Sequence, residues 1–424
     1  MKRRWLKTNL HPTVVSAALA VIAAHLVLSA LFYMEAPLPE RLVWAAVTIG
    51  VLGAAAHNFA GLSRPLRGLV CVAVGLPATL FGLGVHASHV VQVGFATSDL
   101  TGIPMLIAGL VLTLSGAVTL VRLVYTWWRR LLLLPLAPVL AFFVIFPAGM
   151  GVFAANVAKV PCCDTTPADY GFAYEDVTFQ TDRGLDLFAW YIPTQNGAVV
   201  ITVHGAGNNR STVMDEALTI ARHGYGVLMV DLEGFGDSQG RGNMMGWIGA
   251  RSVHAAVDYL RSRPDVDPER IGAYGRSMGG EVLLQAAGES THLKAVVSEG
   301  GTGRTAADFA ELDDGWFEAI VPFQTVMGTA MHLVSAEPVP PPLKQMVEQI
   351  APRRVLLIAA TVREETDLMG QYLQFGGPSF ELWTIPEPKH VGAFDLHPEE
   401  FEARVIAFFD DALLGDVAGP AAAR

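Results

Sequence analysis

Two kinds of hydrophobic pattern divide this chain near residue 158. Before that point the apolar residues come in long runs with few charges. After it they come as short apolar runs alternating with stretches that are apolar on one side only. A membrane crossing needs roughly 20 predominantly apolar residues. Five runs meet that requirement, at 13–34, 42–62, 68–95, 102–125 and 131–158. They predict a transmembrane region over 1–158. A cleaved signal peptide is the other reading of the first run. Four further runs follow it and no clear small-residue cleavage site closes it, so a retained helix is expected.

Past a Pro- and Thr-containing connector at 159–170, the pattern predicts an α/β fold. "FAYEDVTFQTDRGLDLFAWYIP" reads as a hairpin turning at Asp182, Arg183 and Gly184. "GAVVITVHG", "YGVLMVDLEG", "RIGAYGRS", "LKAVVSEGG", "RRVLLIAAT" and "FELWTIPE" read as buried strands. Helical stretches separate most of them, and "HPEEFEARVIAFFDDALL" reads as a closing amphipathic helix. Repeated strand–helix units imply a mostly parallel sheet covered on both faces. The domain is expected over 171–415, with a cap segment at about 302–345 and a disordered tail at 416–424. Phe309, Trp316, Phe317, Phe323, Met327 and Met331 of the cap either face a pocket or fill the cap's own core.

Charge sharpens the division. Residues 1–159 hold 11 Lys and Arg against three acids, Glu35, Glu40 and Asp99, whereas 160–424 hold 18 bases and 37 acids. The acidic part offers no basic patch for nucleic acid. In the first part Lys2, Arg3, Arg4 and Lys7 precede run one, Arg64 and Arg67 separate runs two and three, and Arg122, Arg129 and Arg130 follow run four. All fall on one side by alternation, which predicts a cytoplasmic N-terminus. Five crossings then carry the domain to the outer side of the cell membrane. Trp127 and Trp128 suit an interfacial belt. The runs also contain His25, His57, Asn58, His86 and His89. These read as residues that hydrogen-bond between helices or lie near the interface, ahead of a buried metal or haem site at His86 and His89, which share a helix face; with no carboxylate inside the runs, a proton or ion pathway has little support. Of the three cysteines, Cys71 lies in a run. Cys162 and Cys163 are adjacent, a spacing that disfavours a mutual bridge.

The segment Gly275-Arg276-Ser277-Met278-Gly279 has the spacing G-x-S-x-G. It suits a sharp strand-to-helix turn that presents a serine at strained backbone angles. Around it, "VITVHGAGNNR", "GYGVLMVDLEGFGDSQG", "DVDPERIGAYGRSMGG" and "IPEPKHVGAF" occur in order. With these motifs, 170–415 resembles the α/β-hydrolase superfamily, nearest to esterase-like hydrolases related to dienelactone hydrolases and prolyl-peptidase-like enzymes. Glu233 departs from the arginine usual in the second motif, and Arg276 fills the first variable position of the elbow.

The resemblance implies a serine hydrolase with residue order Ser, acid, His. Ser277 is the expected nucleophile and His390 the base. The loop after "RRVLLIAAT" supplies the acid: Glu365 ahead of Glu364, with Asp367 third, in a loop that must end before helical propensity resumes near 366. Among other histidines, His397 reads as a helix cap, His204 as part of the oxyanion strand, and His254 and His292 as helix or surface residues. Backbone N–H groups of Met278 and Ala206, with Gly207 near, are expected to form the oxyanion hole. No cofactor or metal motif is read. The expected partners are a small-molecule ester, first choice over peptide or thioester, and the lipid bilayer. A non-catalytic membrane sensor is the alternative outside the enzyme class.

Overall fold

The computed structural model describes residues 11–32, 37–124, 128–129, 139–310, 312 and 315–415. The chain divides into two compact units, Met1–Phe153 and Ala154–Arg424.

The first unit is helical. Four helices are long and apolar enough to cross a membrane: Pro12–Phe32, Leu38–Gly61, Arg64–Val93 and Asp99–Leu123. Large apolar side chains such as Leu42, Val43, Val51 and Leu114 are more than half exposed on them, a surface suited to lipid and not to water. Two of the helices approach closely at glycines. A Cβ at Gly75 would lie 2.6 Å from Thr113 N, and one at Gly109 would lie 2.7 Å from Thr79 N. Small residues at such contacts let helix backbones pack without a hydrophobic driving force.

Two expectations for this unit are corrected. The described helices that can span number four, not five. Of the fifth run, the described helix is Ala141–Ala154. At 1.5 Å per residue it is about 20 Å long, short of the ~30 Å hydrocarbon core. Residues 131–138 of that run, and Trp127, lie outside the described residues. Secondly, a carboxylate does accompany the histidines of these helices. Asp99, read as a loop residue, begins the helix Asp99–Leu123 and is fully buried. It faces His86 and His89 at 2.9 and 3.0 Å.

The second unit is built on an eight-stranded sheet of order β1-β2-β4-β3-β5-β6-β7-β8. Its strands are β1 Glu175–Gln180, β2 Asp186–Ile192, β3 Val199–Val203, β4 Gly226–Val230, β5 Ile271–Arg276, β6 Ala295–Glu299, β7 Arg354–Ala360 and β8 Phe380–Ile385. The β1–β2 and β2–β4 pairs are antiparallel. All other pairs are parallel. Strands β3 and β4 are buried at every position, as a sheet covered on both faces requires. Two apolar cores result. One packs β3 and β5 against Val253, Val257, Val282 and Leu283, and the other packs Val200, Val227 and Tyr274 against Leu218, Phe401 and Phe409.

Between β6 and β7 run the helices Ala306–Ala310, Gly315–Ser335 and Leu343–Glu348. Phe309, Phe317, Met327 and Met331 are buried, and Phe309 stacks on Phe317 with ring centroids 6.1 Å apart. Trp316 is 53% exposed. The structure also joins Cys162 to Cys163, the bridge that adjacency disfavoured. A cis peptide between them brings the two Cα atoms to 3.2 Å.

Candidate active site

Strand β5 ends at Arg276, and the helix Met278–Glu289 begins immediately after Ser277. No residue is left for a loop, so Ser277 takes up the whole turn at φ 52° and ψ −122°. A non-glycine residue held there stores about 1–3 kcal/mol of strain. The flanking glycines are needed for close approach. A Cβ at Gly275 would lie 2.5 Å from Gly279 C, and one at Gly279 would lie 2.5 Å from Val203 O. The turn is pinned on its other side by Ser277 N–H donating to Glu299 O at 2.7 Å.

His390 stands in the loop after β8. Its Nε2 lies 2.9 Å from Ser277 Oγ, and its Nδ1 lies 2.5 Å from Glu365 Oε1. The carboxylate fixes the tautomer: Nδ1–H donates to Glu365, leaving Nε2 to accept from the serine hydroxyl. Glu365 is almost wholly buried, whereas the His390 side chain is 48% exposed. The second carboxylate oxygen of Glu365 accepts from Ala360 N–H at 2.8 Å, which fixes the acid to the end of β7. The hydrogen bond to Glu365 raises the His390 pKa above its ordinary value; partial burial opposes the shift.

Of the three acids considered, the structure brings only Glu365 to the histidine. Glu364 and Asp367 are partly exposed, and Asp367 faces Arg363 at 3.7 Å. The expected loop geometry is corrected here. The helix begins at Arg363, so Glu364 and Glu365 both sit in its first turn. Only Glu365 faces inward.

Met278 occupies the first position of its helix, where backbone N–H groups have no intrahelical acceptor. The turn holding Ala206 runs beside the nucleophile, since a Cβ at Gly205 would lie 3.6 Å from Ser277 Cβ. His204 is fully buried, with Nδ1 2.8 Å from Gly205 O. Its imidazole supports the turn, and burial holds its pKa down. His397 is the N-cap residue of the helix Pro398–Phe409, as read, but its side chain pairs with Glu387 at 2.8 Å and caps no N–H. His254 pairs with Glu289 at 2.9 Å.

Two residues about the site carried no signal of their role in the sequence. Arg276 donates from Nη1 to Thr212 O at 3.1 Å and from Nη2 to Val391 O at 2.9 Å, and it faces Glu216 at 3.0 Å. It therefore ties the histidine loop to the elbow and to the segment after the oxyanion turn. Glu299 accepts from Tyr274 Oη at 2.5 Å and from Ala393 N–H at 2.9 Å, holding the same loop from below. The only hint was their presence in the motif strands. Glu281, the acid that follows the elbow, accepts instead from Thr302 N–H and Oγ at 2.9 and 3.0 Å.

Comparison with known proteins bears on the fold of the second unit. Residues 191–374 match the profile of the X-Pro dipeptidyl-peptidase (S15) family. The uncharacterized protein YfhR of Salmonella typhi is 36% identical over 129 residues, 29% of this chain and 42% of that protein. The alpha/beta hydrolase domain-containing protein WAV2 of Arabidopsis thaliana is 34% identical over 121 residues, 28% of this chain and 39% of that protein. The chain thus spans less than half the length of these relatives. Among solved structures, the Pyrococcus furiosus esterase Pf2001 superposes with a TM-score of 0.51 at 23% identity, covering 61% of this chain and 98% of that one.

Proposed function

Starting from a second unit that is an α/β-hydrolase domain of the esterase and peptidase type, we propose that this chain is a membrane-anchored serine hydrolase cleaving an apolar carboxylic ester. One observation carries the reading: Ser277, His390 and Glu365 form a continuous hydrogen-bonded run ending on a buried carboxylate. In this reading His390 Nε2 takes the proton of Ser277 as Oγ attacks the ester carbonyl. The tetrahedral oxyanion is held by the backbone N–H groups of Met278 and Ala206. Glu365 stabilises the imidazolium, which returns its proton to the leaving alcohol. Water, deprotonated by the same nitrogen, then releases the acid from the acyl-enzyme.

Peptidase activity is the second reading, favoured by the S15 profile match. A fluorophosphonate probe applied to the full-length protein should label Ser277 and no residue in Ser277→Ala. Absence of labelling would favour a non-catalytic sensor. A panel of nitrophenyl esters set against Xaa-Pro anilides separates esterase from peptidase, with esters turned over at least tenfold faster on the proposed reading.

Anchoring is supported by the four spanning helices. The basic flanks support a cytoplasmic N-terminus. The outer-side location further requires the run at 131–154 to cross. Supporting it, Leu140 and Phe142 to Phe146 are each 37–59% exposed, apolar around the first turns of this helix, as lipid contact demands. Protease added to intact cells should cleave the hydrolase unit. Protection until lysis would place it in the cytoplasm.

A further inference from the structure

We propose that His25, His86 and Ser29 of the helical unit bind one divalent transition-metal ion of the zinc class. The argument begins with where the ring protons lie. His86 Nδ1 is 2.9 Å from Asp99 Oδ1. An ionised carboxylate only accepts, so this nitrogen carries its hydrogen. His25 Nδ1 is 3.0 Å from Thr101 Oγ1. With that hydroxyl assigned as donor to Ser98 O at 3.3 Å, it too accepts from the ring. A neutral imidazole has a single N–H. Both Nε2 atoms are therefore bare, and they face each other at 3.3 Å. Ser29 Oγ lies 3.2 Å from His25 Nε2.

Facing lone pairs repel, and a cation between them converts that repulsion into binding. The His25–His86 and His25–Ser29 separations suit one ion. Tetrahedral zinc has bonds of ~2.0–2.1 Å to imidazole, which sets neighbouring ligand atoms ~3.3 Å apart. The two imidazole donors select zinc-like ions over calcium or magnesium. Behind His86, Asp99 is in the position of the carboxylate that commonly orients a metal-bound histidine. Asp99 also accepts from His89 Nδ1 at 3.0 Å and from Ala96 N–H at 2.9 Å. Its ion-pair partners among the described residues are these two histidines, so a bound ion would supply the positive charge this buried carboxylate needs. Gly102 leaves the space His86 fills, since a Cβ there would lie 2.1 Å from the ring. The ring is thereby held against His25, perpendicular to it, with centroids 4.7 Å apart.

The test uses untagged full-length protein in detergent, stripped with chelator and titrated with Co2+. One equivalent should bind, seen as visible d–d absorption, and Zn2+ should displace it. His25→Gln and His86→Gln should each weaken binding at least 100-fold, and Asp99→Asn by about 10–100-fold. Ser29→Cys should keep the ion and add a near-ultraviolet thiolate-to-cobalt band, which a fold defect cannot produce. No d–d absorption from wild-type protein at tenfold excess metal would mean that a proton occupies the gap, and would overturn the proposal. Binding unchanged in both glutamine variants, or a Ser29→Cys complex without the new band, would overturn it equally.

Discussion

Among the described residues, two buried carboxylates each accept from an imidazole Nδ1: Glu365 with His390 in the hydrolase unit, and Asp99 with His86 in the helical unit. The acids are alike in burial and the rings are oriented alike. The difference lies at Nε2. In the hydrolase unit Nε2 meets a hydroxyl, Ser277 Oγ, and the histidine is half exposed. In the helical unit it meets a second imidazole, and the ring is buried. An acid behind an imidazole therefore specifies no chemistry by itself. It sets which nitrogen is bare, and whatever faces that nitrogen decides between proton transfer and ligation.

If the hydrolase pair does proton transfer, removing the hydroxyl should give the largest effect of any change in the chain. Ser277→Ala should lower ester turnover by at least ~10⁴-fold and abolish fluorophosphonate labelling, with the circular-dichroism spectrum unchanged. Loss of tenfold or less would mean another nucleophile. Next in size is the acid. Glu365→Gln keeps the volume but lets the ring adopt the wrong tautomer, which should cost on the order of 10⁴-fold in kcat. Glu364→Gln should cost less than threefold. A reversed order in the same assay would move the acid by one residue.

How far these two pairs could be read from sequence differs for a physical reason. Ser277, His390 and the candidate acids lie on turns at strand ends, and a turn needs particular residues: glycines at 275 and 279, a proline and a glycine around the histidine. Such requirements leave local motifs. The parallel strands were equally legible, because burial on both faces demands continuous apolar runs. The pair in the helical unit leaves no motif, since its members come from different helices, in contact only after packing. Asp99 falls between the predicted runs 68–95 and 102–125, so hydropathy alone leaves it outside both helices. The first turn of the helix Arg363–Gly376 was missed for a related reason: Thr361 and Val362 mask its start, and an acid at the third helical position looks the same as one in a loop.

The comparison is sharpened by a residue that only the hydrolase pair has. Arg276 holds the backbone of Val391, the residue after His390, and also the buried Glu216. Burial already pushes the Glu216 pKa up to about 7 against the opposing pull of Arg276. In Arg276→Met the loop loses its anchor and Glu216 loses its counter-charge. Since small misplacement of a catalytic group is costly, kcat should fall about 10-fold, with KM changed less than threefold. Arg276→Lys should restore part of the loss. Equal losses in kcat for Met and Lys would show that the fork of hydrogen bonds, and not the charge, positions the loop.

The smallest effect is in the pH profile, and its sign follows from the acid. His390 acts only when Nε2 is free of a proton, so kcat/KM should fall on the acid side as pH drops through the histidine's pKa. The hydrogen bond to Glu365 holds that pKa above the ordinary value of 6.5. The acid limb of wild-type protein should accordingly lie above pH 6.5. In Glu365→Gln the ring loses the charge that favours its protonated form, while the burial that opposes protonation remains. The limb should then move to lower pH, measurable on the residual activity with a highly activated ester. A limb that stays in place would mean that Glu365 orients the ring without stabilising its charge. The two carboxylates would then differ in function as well as in what they face.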